Sequence, residues 1–282
     1  MHSGIVIDID PVLFAAGPVI IRWYGVMISI GIVAGAVLGM REARRRGISE
    51  DDILYLLVWA VPAALVGARL FHVVDAWDYY LTYPLQILAI QEGGLAIYGG
   101  LIGGLLAGAW AARRKGILSL GLLDLAAPSL ILGQAIGRIG CFVNGDHQGP
   151  PSDLPWATSY VHTGNVAPDS QPRQPAQLYE MLYDLAILGL LMFLRPRLKK
   201  DGILFALYAA LYSFGRFWIS ALRGDALFLA GLKEAQLISV VTFLVAVPVM
   251  VYIWRRPAAQ TSAESRVLSA ERTEDSALRT RD

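Results

Sequence analysis

The feature that most restricts this chain is a series of apolar stretches, each close to the roughly 20 residues that a helix needs to cross a hydrocarbon core of about 30 Å. Seven occur, at Pro18 to Met40, Ile53 to Val74, Gly93 to Ala112, Leu120 to Val143, Pro175 to Leu194, Ile203 to Leu222 and Ala235 to Trp254. Each is broken only by glycine, proline or isolated polar residues, which membrane helices tolerate when neighbouring helices satisfy the backbone. A barrel of eight membrane strands would alternate apolar and polar residues over about 10 positions. The run "VVTFLVAVPVMVYIW" does not alternate. The expectation is an all-α integral membrane protein built as a seven-transmembrane-helix bundle.

Composition agrees, with 55% hydrophobic and 17% charged residues, where a soluble domain carries about 25% charged. A single cysteine, Cys141, excludes an intramolecular disulfide framework, and no cysteine-histidine spacing suggests a zinc site. The net charge of +1 says little as a sum, but its distribution is uneven. Basic residues cluster in "REARRRG" after the first span, "ARRKG" after the third, "RPRLKK" after the fifth and "RR" after the seventh. Short basic loops stay in the cytoplasm, which places the N-terminus outside and the C-terminus inside.

The N-terminal "MHSGIVIDIDPVLFAAG" lacks a basic region ahead of a short apolar run, so it does not read as a cleaved signal peptide. Residues 1–254 form the seven-span domain in this reading. Residues 255–282, polar and mixed in charge, read as a disordered cytoplasmic tail. Of the two long outward loops, Asp75 to Glu92 carries the aromatic "WDYYLTYP", suited to a membrane surface. Gly145 to Gln174 is rich in Pro, Gly, Ser and Asn, as irregular loops are. "GIVAGAVLG" and "GLIGGLLAG" carry glycine every fourth residue, which reads as close helix packing.

With that orientation, Arg22, Arg69, Arg138, Arg216 and Arg223 all fall toward the outer ends of their spans, and Arg173 joins them from the loop before span five. An arginine at mid-membrane costs about 2.5 to 3.5 kcal/mol on the insertion scale, so such residues face the bundle interior or snorkel to the headgroups. Span six places Tyr208, Tyr212, Arg216 and Ser220 on one helix face, and span five does the same for Gln177, Glu180 and Asp184. An arginine fork suits phosphate or carboxylate. At outer-leaflet depth the abundant phosphate belongs to lipid headgroups, so the residues point to lateral binding of an anionic lipid. A non-enzymatic carrier of an anion or lipid headgroup is the alternative, although carriers commonly place their sites at the midplane.

The stretch "GRIGCFVNGDHQG" at the end of span four resembles the signature of the prolipoprotein diacylglyceryl transferase family, G-R-x-G-N-F-x-N-x-E-x-x-G. "IRWYG", "GARL", "EGGLAIYGGLIGG", "RQPAQLYE" and "YSFGRFWISALRGD" are similar to further family blocks, in order across residues 21 to 225. The resemblance implies a multi-pass enzyme of the bacterial inner membrane with its active site toward the outer leaflet. It would move the diacylglyceryl group of phosphatidylglycerol to the lipobox cysteine of a preprolipoprotein, forming a thioether and releasing glycerol phosphate. Its partners would be phosphatidylglycerol, the preprolipoprotein signal peptide and membrane lipids, with no nucleic acid, and it implies no metal, nucleotide or other cofactor.

Carried over by position, the family's functional residues fall on Tyr24, Arg138, Asn144, Gly149, Tyr212, Arg216 and Arg223, with Glu180 in the shared fifth-span block. Arg138 and Arg216 would clamp the phosphate, while Tyr24 and Tyr212 would hydrogen-bond lipid or catalytic side chains. Asn144, Gly149, Asp146, Glu180 and Arg223 would shape the headgroup site. The chain departs from the family pattern at Tyr98, where a histidine is usual, at Cys141 for asparagine, at Asp146 for glutamate and at Ser220 for glutamate. Tyr98, Asp146 and His147 are the candidates for proton acceptor. Cys141 replaces an asparagine and has no histidine within the preceding helical turn, which argues against a covalent nucleophile. The departures also leave room for a family member acting on another acceptor.

Overall fold

The computed structural model describes residues 4–17, 19–89, 93–166, 168–224, 227–229 and 231–256. Among them the strands are β1 (Ile5–Ile7), β2 (Val12–Ala16), β3 (Val19–Arg22), β4 (Thr158–Tyr160) and β5 (Asp169–Arg173). The helices are α1 (Trp23–Arg45), α2 (Glu50–Asp75), α3 (Trp77–Thr82), α4 (Ile97–Arg114), α5 (Leu120–Asn144), α6 (Ala176–Leu194), α7 (Ile203–Leu222) and α8 (Glu234–Arg255), with a 3-10 turn at Pro84–Leu88. Nearly all of the tail after Trp254 lies outside the described residues.

Six of these helices, α1, α2, α5, α6, α7 and α8, are long and apolar enough to cross a membrane. The third expected span corresponds to α4, whose 18 residues are glycine-rich and end on Arg113 and Arg114, so it is not among the six. Side-chain burial in helix α6 departs from that of a water-soluble bundle. Helix α6 buries Gln177, Glu180 and Asp184 and exposes Leu182 and Phe193. Apolar side chains outside and carboxylates inside are the pattern that a hydrocarbon solvent selects.

The described residues divide into two compact units, one from 4–39 and 123–256, the other from 40–122. Within the second, α2 and α4 pack closely. A Cβ at Gly99 would collide with the carbonyl oxygen of Gly67, and one at Gly103 with that of Ala63. The glycine series of α4 is therefore a helix-contact face. Arg69 of α2 donates to the carbonyl oxygens of Ile87 at 2.9 Å, Gly93 at 2.6 Å and Gly94 at 2.9 Å, and also to Gln86. Its guanidinium lies over the Tyr80 ring, 5.3 Å from the centroid. That is a structural post for the segment after α3, since carbonyl groups satisfy its donors.

The first unit has its apolar core where α5, α6 and α7 meet, around Ile131, Ile187, Leu191, Leu204 and Tyr208. Asp124 of α5 caps the start of α7, accepting from Gly202 N at 2.7 Å and Phe205 N at 2.8 Å. Those N–H groups have no intrahelical partner, so a buried carboxylate from another helix fixes α7 against α5. Two small sheets sit in the same unit. In one, β4 pairs in parallel with β1, Ile5 opposite Thr158, and antiparallel with β5, Thr158 opposite Arg173. In the other, β2 and β3 form a hairpin.

The long apolar helices agree with the expected all-α membrane protein, and the small sheets correct the irregular-loop reading of Gly145 to Gln174. Strands of three to five residues such as "TSY" and "DSQPR" carry no alternation long enough to read. Near the start of the first expected span, Val19–Arg22 form β3 rather than helix, and Pro18 lies outside the described residues.

Candidate active site

Helix α5 ends where the signature stretch turns polar, and the turn is explained by its last carbonyls. The final four carbonyls of a helix lack intrahelical donors. Here Cys141 O accepts from Asp146 N at 3.1 Å and Asn144 O from Val166 N at 3.2 Å. Phe142 O accepts from Tyr160 Oη at 2.7 Å, and Val143 O from Asn165 Nδ2 at 3.2 Å. Gly145 follows in the left-handed region, φ 79°, the usual conformation just past a helix end. The loop and sheet thus close the end of α5 and hold the residues around Asn144. Neither Tyr160 nor Asn165 is distinguished in the sequence; asking which groups serve these four carbonyls would find them.

Arg138 of α5 and Arg216 of α7 converge on Glu180 of α6. Arg138 Nη2 donates to Glu180 Oε1 at 2.6 Å, and Arg216 Nη1 reaches Oε1 at 2.8 Å and Oε2 at 2.6 Å. Glu180 is 2% exposed, whereas the arginine side chains keep 16% and 17%. The carboxylate is sealed and the cations are partly open. Asp184, one turn further along α6, is fully buried, and neither of its oxygens has a hydrogen-bond donor among the described residues.

Close packing makes this convergence possible. A Cβ at Gly215 would overlap the ring of Tyr183, so the glycine beside Arg216 lets α7 approach α6. Tyr183 Oη donates to Leu211 O at 2.7 Å across the same contact. On α5, a Cβ at Gly140 would stand 3.1 Å from Tyr24 Cα, which brings half-exposed Tyr24 of α1 beside the signature. The ring of Tyr212 stacks on that of Tyr208, 6.0 Å between centroids, on the face of α7 that carries Arg216. Cys141 is buried, with Sγ 3.8 Å from Arg138 Nη1, a packing position under the arginine.

Beyond the helix, Asn144 Nδ2 donates to Asp146 Oδ2 at 2.7 Å. Burial raises the Asp146 carboxyl above its ordinary value, against the lowering effects of the Asn144 hydrogen bond and of Arg223 and Arg138. His147 is the one non-glycine residue with positive φ, 59°, among the described residues. Its Nδ1 accepts from Arg223 Nη2 at 2.5 Å. Asp146, His147, Gln148, Asp169, Arg173 and Gly224 border an open cavity of about 270 Å³. Gly149 ends the signature because space demands it: a Cβ there would lie 2.9 Å from Gln174 Cβ and 3.2 Å from Leu222 O. A larger, wholly apolar groove of about 300 Å³ lies at the other end of these helices, lined by Leu194, Leu207 and Trp254 among others.

The first unit therefore gathers Tyr24, Arg138, Asn144, Asp146, Gly149, Glu180, Tyr212, Arg216 and Arg223. Arg173 borders the same cavity as Asp146. Arg173 pairs with Asp169 along β5 at 2.9 Å, Arg22 ends β3 and is exposed, and Arg69 belongs to the second unit. Tyr98 also lies in that unit, near the start of α4 with its ring tilted against Phe71 at 6.4 Å.

A family model for prolipoprotein diacylglyceryl transferase matches residues 11–252. Relatives named phosphatidylglycerol-prolipoprotein diacylglyceryl transferase are similar over most of their length. The protein of Limosilactobacillus reuteri (strain DSM 20016) is 37% identical over 262 residues, covering 89% of this chain and 94% of that one. That of Trichormus variabilis is 41% identical over 259 residues, 88% of this chain and 91% of the relative. That of Bacillus licheniformis is 40% identical over 250 residues, covering 86% and 92%. A match of this extent, over the helices that carry the paired arginines, means that the chain belongs to the prolipoprotein diacylglyceryl transferase family.

Proposed function

We propose that this chain transfers the diacylglyceryl group of phosphatidylglycerol to the lipobox cysteine of a preprolipoprotein, at outer-leaflet depth in a bacterial inner membrane. The observation that carries the reading is the convergence of Arg138 and Arg216 on Glu180. Two guanidiniums against one hydrogen-bonded carboxylate leave donors and positive charge for a second anion. A planar fork takes a phosphate bidentately, and the partial exposure of both arginines gives that phosphate an approach.

In the reaction, the cysteine sulfur forms a bond to the glyceryl methylene carbon as the carbon-oxygen bond to phosphate breaks. Glycerol phosphate leaves with its charge held by Arg138 and Arg216, donors fixed before the reaction begins. The thiol, with an ordinary pKa of about 8.5, must give up its proton. Asp146 is the best-supported acceptor. It lines the polar cavity, burial makes its carboxylate more basic, and Asn144 orients it. His147 is less suited because its Nδ1 already accepts from Arg223, which leaves Nε2 as the protonated nitrogen of a neutral ring. Arg223, Asn144 and Gly149 would shape the headgroup site, and Tyr24 and Tyr212 would hydrogen-bond lipid beside the arginines.

The topology belongs to the same proposal. Helix α4 counts as a seventh span, since 18 residues at 1.5 Å each reach about 27 Å. The basic loops support an N-terminus outside and a C-terminus in the cytoplasm.

The test is to incubate the purified protein with phosphatidylglycerol and a lipobox peptide and to weigh the peptide by mass spectrometry. A gain of one diacylglyceryl mass on the cysteine is expected. No adduct, with an active family member as control, would overturn the reading, and an adduct on another acceptor only would reassign the substrate.

A further inference from the structure

Lys233 stands at the N-cap of α8, a position where Ser, Thr, Asp and Asn are preferred because their oxygens accept from the first helical N–H groups. A lysine cannot accept. Its side chain turns the other way, toward the C-terminus of α7, and the residue is only 9% exposed. The ammonium donates to Ser220 O at 2.9 Å, to Ala221 O at 3.2 Å and to Arg223 O. All three of its donors are thus spent on carbonyls at a helix end, where partners are lacking and the helix dipole is negative. Gln236 keeps the lysine in place, its Oε1 accepting from Lys233 N at 3.1 Å.

What this clamp holds is the peptide of Arg223. Arg223 N donates to Ser220 O at 3.2 Å while its carbonyl accepts from the ammonium. The residue leaves α7 with extended backbone, φ −77° and ψ 153°, and that departure carries its buried guanidinium to His147. Gly224 N then donates to Gln148 O at 3.3 Å, tying this segment to the end of the signature stretch. Without the ammonium, three carbonyls at this corner lose a buried donor, and the exit angle of the chain is free to change.

We propose that Lys233 is a positioning residue for headgroup binding, acting through Arg223: it fixes the end of α7 so that the Arg223 guanidinium meets His147, which with Asp146 borders the cavity. The inference rests on the reading of Arg223 as a headgroup residue. A plain structural staple would alter stability without a selective effect on one substrate.

The experiment measures KM for phosphatidylglycerol and kcat for Lys233→Met, which keeps the stem and removes the donors, for Lys233→Arg, which restores donors, and for Arg223→Lys. Lys233→Met is expected to raise KM for phosphatidylglycerol about tenfold, a change of about 1.4 kcal/mol, with kcat little altered. Lys233→Arg should recover most of it. Arg223→Lys should raise KM similarly and add little in the Lys233→Met background, because both changes act through one guanidinium. Should Lys233→Met not fold, Lys233→Gln, which keeps one donor, is measured instead with the same expectation at smaller size. If Arg223→Lys leaves KM unchanged, the reading of Arg223 fails. If Arg223→Lys raises KM while a folded Lys233→Met or Lys233→Gln does not, the positioning role is overturned.

Discussion

Arg216 holds both oxygens of Glu180 with a single nitrogen, Nη1 lying 2.8 Å from Oε1 and 2.6 Å from Oε2. One terminal nitrogen is therefore committed to the sealed carboxylate, while the Arg216 side chain as a whole keeps 17% exposure. Glu180 acts as the counter-charge that lets two arginines sit together in an apolar surround. Removing one partner of a buried pair costs about 3 to 5 kcal/mol. Because the arginine side chains are only partly buried, Glu180→Gln should lie near the low end, about 3 kcal/mol. Thermal unfolding in detergent would measure it, and an unchanged melting temperature would show that Glu180 is not needed to hold the pair.

If the two arginines clamp phosphate by their planar geometry, Arg138→Lys and Arg216→Lys should each reduce kcat/KM by roughly 10²- to 10³-fold, the range for losing one preorganised donor. An ammonium keeps the charge and loses the fork. Transfer of label from phosphatidylglycerol to a lipobox peptide gives the rate, and wild-type turnover in both variants would remove the clamp from the mechanism.

Gly215→Ala should push α7 off α6, because the new methyl would occupy the Tyr183 ring. Overpacking of this kind costs about 1 to 3 kcal/mol, and it should separate Arg216 from Glu180, so activity falls together with stability. Pairing it with Tyr183→Leu should restore part of both. Failure of the double variant to recover would place the damage elsewhere than the ring.

Activity should rise with pH through the titration of Asp146, since the proposed acceptor works as the carboxylate. Burial raises that titration above the ordinary carboxylate range, and the Asn144 hydrogen bond lowers it. Asn144→Ala removes a lowering influence, so the acid limb of the pH profile should move to higher pH. Asp146→Asn should abolish the limb along with most of the rate. A limb that stays in place in Asn144→Ala would separate it from Asp146.

Tyr160→Phe deletes the donor to Phe142 O and leaves a carbonyl at the end of α5 unserved. The expected loss is about 1 to 3 kcal/mol, the cost of a buried acceptor left unsatisfied. Hydrogen exchange should show the last turn of α5 opening first.

Much of this architecture is dictated locally. Membrane thickness sets the length of a spanning helix, so runs of apolar residues mark α1, α2, α5, α6, α7 and α8 to within a few residues. Helical periodicity likewise places Gln177, Glu180 and Asp184 on one face of α6, and Tyr208, Tyr212, Arg216 and Ser220 on one face of α7, before any packing is known. The short strands escape such reading because "TSY" and "DSQPR" have neither the length nor the alternation to betray a sheet.

The fates of the arginines divide along the same line. Sequence position puts Arg69, Arg138 and Arg216 toward the outer ends of their spans and Arg173 in the loop before span five, but it names no partner for any of them. Only the tertiary structure separates them. Arg138 and Arg216 meet Glu180 across 42 and 36 residues of chain, Arg173 is taken by Asp169 on its own strand, and Arg69 is spent on backbone carbonyls. Depth follows from where a residue falls within its own helix. Lateral partners depend on how closely helices approach, and that is decided where residues such as Gly215 and Tyr183 meet from different helices.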